Sequence, residues 1–420
     1  MKTIGKLFLT CMLISSFATP SAAQNTVDSS KTEETKPIEP PKAETPKETK
    51  KAWYESISIR GYGQVRYNRF LETNPNLGCE QCDKSWGKGG GLFFRRLRVI
   101  IYGNVHERVY IYIQPDFASS ASATGLHFGQ IRDAYFDLSL DKNKEFRLRF
   151  GQSKVPFGFE NMQSSQNRLT LDRNDALNSA VSNERDLGVF FYWAPKKIRK
   201  RFSDLVNDGY KGSGDYGVFA LGIYNGQTAN KPEANDNQHM VVRLTYPFEF
   251  KNGQILEAGV QGYTGNYVVT TITKNVKTIN DRAEYLDQRA AASVILYPKP
   301  FGFQAEYNIG TGPEYNVDSN KIEQKDLMGG YAMINYMLKI KKQLIFPFVK
   351  YQLYDGGKKH ELDARSYSVR DWEFGIEWQP LKNFEFVAIY TISDRRYEDA
   401  VLKDNHQKGN LLRLQAQFNF

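Results

Sequence analysis

The sequence predicts an all-β fold: a sixteen-stranded antiparallel transmembrane β-barrel, preceded by a signal peptide and a disordered Pro/Lys/Glu linker. Three observations carry this expectation. From Ile57 to the last residue, stretches of about ten residues alternate apolar and polar side chains, and a period of two is the mark of a β-strand. The segments between them are alternately long and short, as in barrels with long external loops and short periplasmic turns. The 27 Phe, 25 Tyr and 33 Gly among 420 residues suit a large sheet with many turns. A mean hydropathy of −0.55 leaves no room for a set of membrane helices.

The first element is short. Lys2 and Lys6 precede an apolar stretch from Leu7 to Phe17 and the small residues Ser21, Ala22 and Ala23. This is the pattern of a secretory signal peptide, residues 1–23, and the apolar stretch is too short and interrupted to span a bilayer. Residues 24–52 hold four prolines, six lysines balanced by six acids, and almost no large apolar side chain. Such a segment cannot bury a core and is expected as a disordered periplasmic linker. Of the net charge of +9, two lysines lie in the signal segment, so +7 falls in residues 53–420, the barrel. Beyond the signal peptide the only cysteines are Cys79 and Cys82. One C-x-x-C without a second pair predicts a small loop disulfide in an oxidising compartment and no metal.

Sixteen strands are expected, starting near 57, 92, 109, 130, 145, 187, 215, 239, 254, 285, 301, 329, 344, 366, 383 and 410. The tenth and eleventh are the least regular. The first sets Ile57, Ile59, Gly61, Gly63, Val65 and Tyr67 against Ser58, Arg60, Tyr62, Gln64 and Arg66. The last sets Leu412, Leu414, Ala416, Phe418 and Phe420 against Arg413, Gln415, Gln417 and Asn419. Connections after odd strands are long, among them 155–186 and 312–328, and those after even strands are short, with 194–214 the exception. The basic run "KKIRKRF" at 196–202 is expected as a solvated turn, with anion gathering or contact to an acidic periplasmic partner as alternatives.

A soluble sandwich also alternates, but its loop lengths rarely do so this regularly. In a bilayer every backbone N–H and C=O needs a partner, so the sheet must close, first strand against last. An arginine on the lipid face at mid-membrane costs about 2–4 kcal/mol. Parity therefore sends Arg60, Arg66, Arg96, Arg98, Arg147, Arg149, Arg243, Arg289 and Arg413 to the lumen, joined by Lys350 if Val349 and Tyr351 face outward. Sixteen strands leave an aqueous channel, and basic side chains lining it would favour anions. Asp116, Asp133, Asp137, Glu373 and Glu377 share the lumen parity, so part of this charge is expected to pair across the wall. The five histidines are scattered without metal-ligand spacing, and no nucleophile elbow or phosphate-binding loop occurs. No enzyme, cofactor or nucleic-acid partner is expected.

At this point a family resemblance enters. "FFRRLRVIIYGNVHERVYIYIQPDF" (Phe93 to Phe117) resembles the paired-arginine second strand and following hairpin of the phosphate-selective porin O and P family. "IRDAYFDLSL" with "FRLRFGQSKVPFGFE" (Ile131 to Glu160) is similar to its next hairpin and the start of its third external loop. The resemblance implies a sixteen-stranded barrel, a homotrimer, and a third loop, Val155 to Asp186, folded inward as the constriction. That loop would narrow the pore with Arg168, Asp172, Arg173, Asn174 and Arg185. The family's arginine ladder would fall on Arg60, Arg95 and Arg96, with Arg98 a local addition. Arg95 has the wrong parity for the lumen, so it needs a bulge or a place at the membrane rim. Phosphate-selective members place lysines in the third loop, where this chain has Asn161 and Gln166 with Arg168 close by. A weaker and broader oxyanion preference follows.

The expected function is that of a Gram-negative outer-membrane porin, passing small hydrophilic solutes by diffusion with a preference for anions such as phosphate. Its expected partners are outer-membrane lipid and the barrel-assembly machinery, and the terminal Phe420 resembles the signal that machinery reads. Two alternatives remain open: a barrel for adhesion or surface recognition through its loops, and an outer-membrane hydrolase assembled across strands.

Overall fold

In the computed structural model, which describes residues 52–82, 86–88, 91–118 and 128–420, the alternation becomes a closed antiparallel wall. Sixteen strands make it among the described residues. They are β1 (Ile57–Phe70), β2 (Phe93–His106), β3 (Val109–Asp116), β4 (Gln130–Ser139), β5 (Phe146–Lys154), β6 (Arg185–Trp193), β7 (Phe219–Tyr224) and β8 (His239–Glu249). There follow β9 (Ile255–Val268), β10 (Glu284–Leu296), β11 (Phe301–Asn316), β12 (Lys321–Tyr336, continued by Leu338–Ile340), β13 (Gln343–Gly357), β14 (Ser366–Leu381), β15 (Phe384–Glu398) and β16 (His406–Asn419). The expected signal peptide, and the expected linker up to residue 51, lie outside the described residues.

Closure is by β1 on β16, from Tyr62 opposite Asn419 to Phe70 opposite Leu412. Beyond the last pair, Gly61 N–H donates to the Phe420 carbonyl (2.8 Å) and Phe420 N–H to the Gly61 carbonyl (3.0 Å). The seam needs glycine on β1. A Cβ on Gly61 would collide with the Phe420 ring and the Arg98 carbonyl, and one on Gly63 with the Phe418 ring. The two rings therefore lie flat across the first strand on its outer face.

Burial runs opposite to that of a soluble protein. On β14 the outward Trp372, Phe374, Ile376 and Trp378 are 45, 44, 46 and 41% exposed, while the inward Asp371, Glu373 and Glu377 are 1, 4 and 0% exposed. An apolar outer band with charges inside is the pattern of a barrel in lipid. The interior is also fuller than an open sixteen-stranded channel, because external and periplasmic segments enter it.

Three expectations about connections are corrected. Residues 312–328, expected as a loop, are strand apart from a tight turn at 317–320: β11 and β12 pair without a break from Phe301–Tyr336 to Asn316–Lys321. Tyr315 and Ile322 at its tip are buried with Tyr267, Val269 and Ala283, so the hairpin is held by neighbouring external segments. Its outward polar residues hide it from a search for apolar bands. For this reason β12 begins at Lys321 rather than near 329. The run 196–202 is not a turn but the first part of an α-helix, α3 (Lys196–Asn207), which buries Ile198, Phe202 and Leu205. That spacing of three and four is helical. Finally, Arg185 opens β6 and pairs with Lys154, so the third external loop spans 155–184.

Candidate functional site, the barrel lumen

The third loop, L3 (155–184), folds into the barrel and touches its wall on every side. Val155, Phe157 and Leu177 pack with Phe190, Tyr224 and Tyr263. Leu169 and Leu171 pack on Phe346 and Phe348 of β13. Phe159 meets Ile295 and Tyr297 at the periplasmic end of β10. The loop carries two single-turn helices, α1 (Phe159–Met162) and α2 (Asp175–Ala180). Asn174 caps α2, its side chain accepting from Leu177 N–H (3.1 Å), as a short polar residue does at that position.

Ion pairs hold the loop as well. Asp172 accepts from Arg66 of β1 (3.0 Å) and Arg413 of β16 (2.7 Å). Glu160 accepts from Lys350 of β13 (2.6 Å) and from the backbone (2.7 Å) and side-chain (2.8 Å) amides of Asn174. Asp175 is held by Lys358 and by Arg395 of β15 (2.9 Å). Arg289 of β10 donates to Ser179 Oγ (2.6 Å) and to the Ala176 carbonyl (3.2 Å). Burial works against the charged form of Asp172, but Arg66 and Arg413 outweigh it and hold the carboxyl far below its usual range.

Most of the expected basic set is therefore neutralised locally. Arg98 pairs with Asp116 (2.8 Å), Arg149 with Asp137 (2.7 Å), Arg147 with Asp215 (2.9 Å), Arg185 with Asp133 (2.9 Å) and Arg243 with Glu257 (3.3 Å). Arg413 pairs also with Glu373, and Lys211 with Glu377. Arg60 lies over the Tyr102 ring (5.6 Å). All five acids of lumen parity are engaged.

An external vestibule of about 580 Å³ remains above L3, and its lining sets Arg95, Arg96, Arg98, Arg132, Arg168 and Arg173 against Glu80, Asp116, Asp172, Glu184 and Glu361. Two of the arginines reach it through bulges. The β1–β2 register slips between Gln64–Arg96 and Val65–Phe94, and the extra residue is Arg95, whose guanidinium donates to the Cys82 carbonyl (2.8 Å). The β3–β4 register slips between Gln114–Asp133 and Pro115–Ile131, and the extra residue is Arg132. A bulge re-aims a side chain that would otherwise face lipid. Sequence parity missed Arg132; the available signal was an arginine of lipid parity opposite a strand proline, Pro115.

Arg98 faces Asp116, while Arg168 (3.7 Å) and Arg173 (3.3 Å) face Glu184. Arg96 and Arg132 differ. Arg96 donates to the Gln64 amide oxygen (2.7 Å), and Arg132 to the Asn183 carbonyl (2.9 Å). Among the described residues neither makes an ion pair with a carboxylate, although Asp116 and Glu184 lie within electrostatic range of Arg132 and Asp172 within range of Arg96.

Other expected loop residues are structural. Asn161 donates to the Val155 carbonyl (2.9 Å) and accepts from Arg173 (2.9 Å) inside L3. The Gln166 carbonyl accepts from Gln417 of β16 (3.2 Å). Cys79 and Cys82 form a disulfide. It packs with Leu77, Leu411 and Trp86, and the Trp86 ring lies between Arg395 (5.0 Å) and Arg413 (5.2 Å). Lys358, Lys359 and His360, also missed, enter from the external segment 358–365. Lys359 pairs with Asp287 of β10, and His360 sits 3.2 Å from the Tyr267 hydroxyl.

Solved structures share this fold. One is the outer membrane channel DcaP of Acinetobacter baumannii, 17% identical with a TM-score of 0.54, the match covering 87% of this chain and 97% of that one. Another is an anion-selective porin from Comamonas acidovorans, 10% identical with a TM-score of 0.51, covering 87% and 99%. The trimer form of OmpT from Vibrio cholerae is 11% identical with a TM-score of 0.50, covering 87% and 100%. No curated protein sequence matches the chain. The profile of the phosphate-selective porin O and P family matches residues 79–420, and the chain belongs to that family.

Proposed function

We propose that this protein, an outer-membrane channel by its family, passes small hydrophilic solutes by diffusion and prefers anions, phosphate among them. The observation that carries the preference is the pair Arg96 and Arg132, which line the vestibule without an ion-paired carboxylate among the described residues. A fixed charge without a counter-ion in a walled cavity raises the local concentration of the opposite ion. Most other lumen cations are matched by acids, some across the wall, as Arg98, Arg149 and Arg243 are, and some holding L3, as Arg66, Arg413, Lys350 and Arg395 do. The preference is therefore modest, and phosphate binds without the lysines that strict selectivity would use. The anion-selective porin named above supports this reading by analogy of fold. By the same analogy the protein works as a homotrimer, as does the trimer form of OmpT. Residues 1–23 direct export, 24–52 form a periplasmic leader, and the barrel-assembly machinery reads the closing strand through Phe420.

The test is the reversal potential of the reconstituted protein across a KCl gradient. The native channel should show anion preference, and Arg96→Gln with Arg132→Gln should move it toward neutrality, while Arg243→Gln moves it less. Cation preference in the native channel would sink the proposal.

A further inference from the structure

The connection between β6 and β7 is the one long periplasmic segment among the described residues, and the channel function above gives it no role. It starts with α3, whose Leu205 is buried with Phe159 of L3 and with Ile255, Ile295 and Tyr297 of the wall. Past the helix the chain turns into the barrel. Lys211 is almost fully buried and makes an ion pair with Glu377 of β14. β14 lies eight strands from β6 in a ring of sixteen, directly opposite. A lysine side chain cannot span such a barrel, so α3 and the backbone after it carry Lys211 across the mouth: Leu205 packs on β9 and β10, and Gly209 lies beside Leu344 of β13.

Further contacts fasten the crossing. Gln163 of L3 donates to the Lys211 carbonyl (2.6 Å). The Lys211 ammonium sits 4.9 Å from the Phe346 ring of β13, and Gln379 donates to Glu377 (2.6 Å). Tyr210 lies under the Lys299 ammonium (4.6 Å). Glu385, on the neighbouring β15, is within electrostatic range of both Lys211 and Glu377. The backbone at Gly209, Lys211, Gly214 and Gly217 is left-handed, and residues 211–217 belong to no strand or helix.

We propose that 208–217 is an inner gate across the periplasmic mouth, latched to the far wall by Lys211 and Glu377, and that solutes pass when the latch releases. The gate rests on the channel reading but not on anion preference. Releasing one partner of a buried ion pair destabilises the latched arrangement strongly.

Single-channel recording of the full chain tests this with Lys211→Met and Glu377→Gln. These remove charges of opposite sign, so a purely electrostatic role in the pore would shift selectivity in opposite directions. A latch predicts that both raise the open-to-closed ratio, by about tenfold or more. The charge-swapped double variant, Lys211→Glu with Glu377→Lys, should return it toward native, and it remains informative where a single variant assembles poorly. A silent native protein beside conducting variants also supports the gate. Unchanged or opposite responses overturn it while leaving the channel intact. Silence in every version overturns the channel reading and the gate with it.

Discussion

Arg95 and Arg132 show how a single residue can break a pattern and become its most informative member. Both have lipid parity, both would cost about 2–4 kcal/mol at mid-membrane, and both are turned into the vestibule by a bulge. The need for a bulge at Arg95 was legible from parity alone. At Arg132 the same wrong parity stood opposite Pro115 of the neighbouring strand, and the bulge there shows only in the paired register. Asp172 is the residue whose loss should be felt most. Asp172→Asn leaves Arg66 without its carboxylate and weakens the hold on L3 by about 3–5 kcal/mol. Higher anion permeability and noisier single-channel currents are expected, and a native-like trace would argue that L3 does not depend on this pair. His360 gives a pH dependence. Burial first, and then Lys359, push its imidazole well below the ordinary value of 6.5. The closed external segment thus holds it neutral, whereas an opened segment would take up a proton. Closure should lose stability as pH falls below about 6.5 and be insensitive above it. Current noise recorded from about pH 7 to 5 should rise in the native channel, and His360→Gln should flatten that rise.

Among the elements, the strands and the short turns after even strands were readable, and the long connections were less so. Every wall strand except β12 begins within a few residues of its expected start, because an apolar band facing lipid leaves an uninterrupted period-two signal. The exception, together with the upper part of β11, stands where both faces are polar. L3 was expected inside on family resemblance, but its grip on the wall was not visible. The contacts use residues far apart in the chain, such as Asp175 with Lys358 and Arg395. Asp175→Asn should free one end of α2 while Arg289 keeps its bonds to Ser179, so conductance should rise with rapid flicker rather than a single step. Bilayer recordings at fixed voltage check this; a quiet, unchanged level would mean that the apolar contacts alone hold the loop.

For the whole molecule, assembly turns on the seam. The Phe418 and Phe420 rings lie across Gly63 and Gly61, and the last residue completes backbone pairing with the first strand. Deleting Phe420 should lower the amount of heat-modifiable barrel on a gel without changing the conductance of channels that do assemble; undiminished assembly would remove any role for the chain end. By itself the sequence determined the wall: strand number, alternation and the family. Alternation is local and each strand meets only lipid, lumen and two neighbours, so pattern suffices. Only the tertiary structure decided the interior. Whether a lumen charge is paired, exposed to the vestibule or sealed under L3 depends on partners from distant strands and loops. One-residue bulges shift those partners without leaving a trace in the period. The open channel expected of sixteen strands became a largely filled lumen because L3 from outside and 208–217 from the periplasm enter the same space.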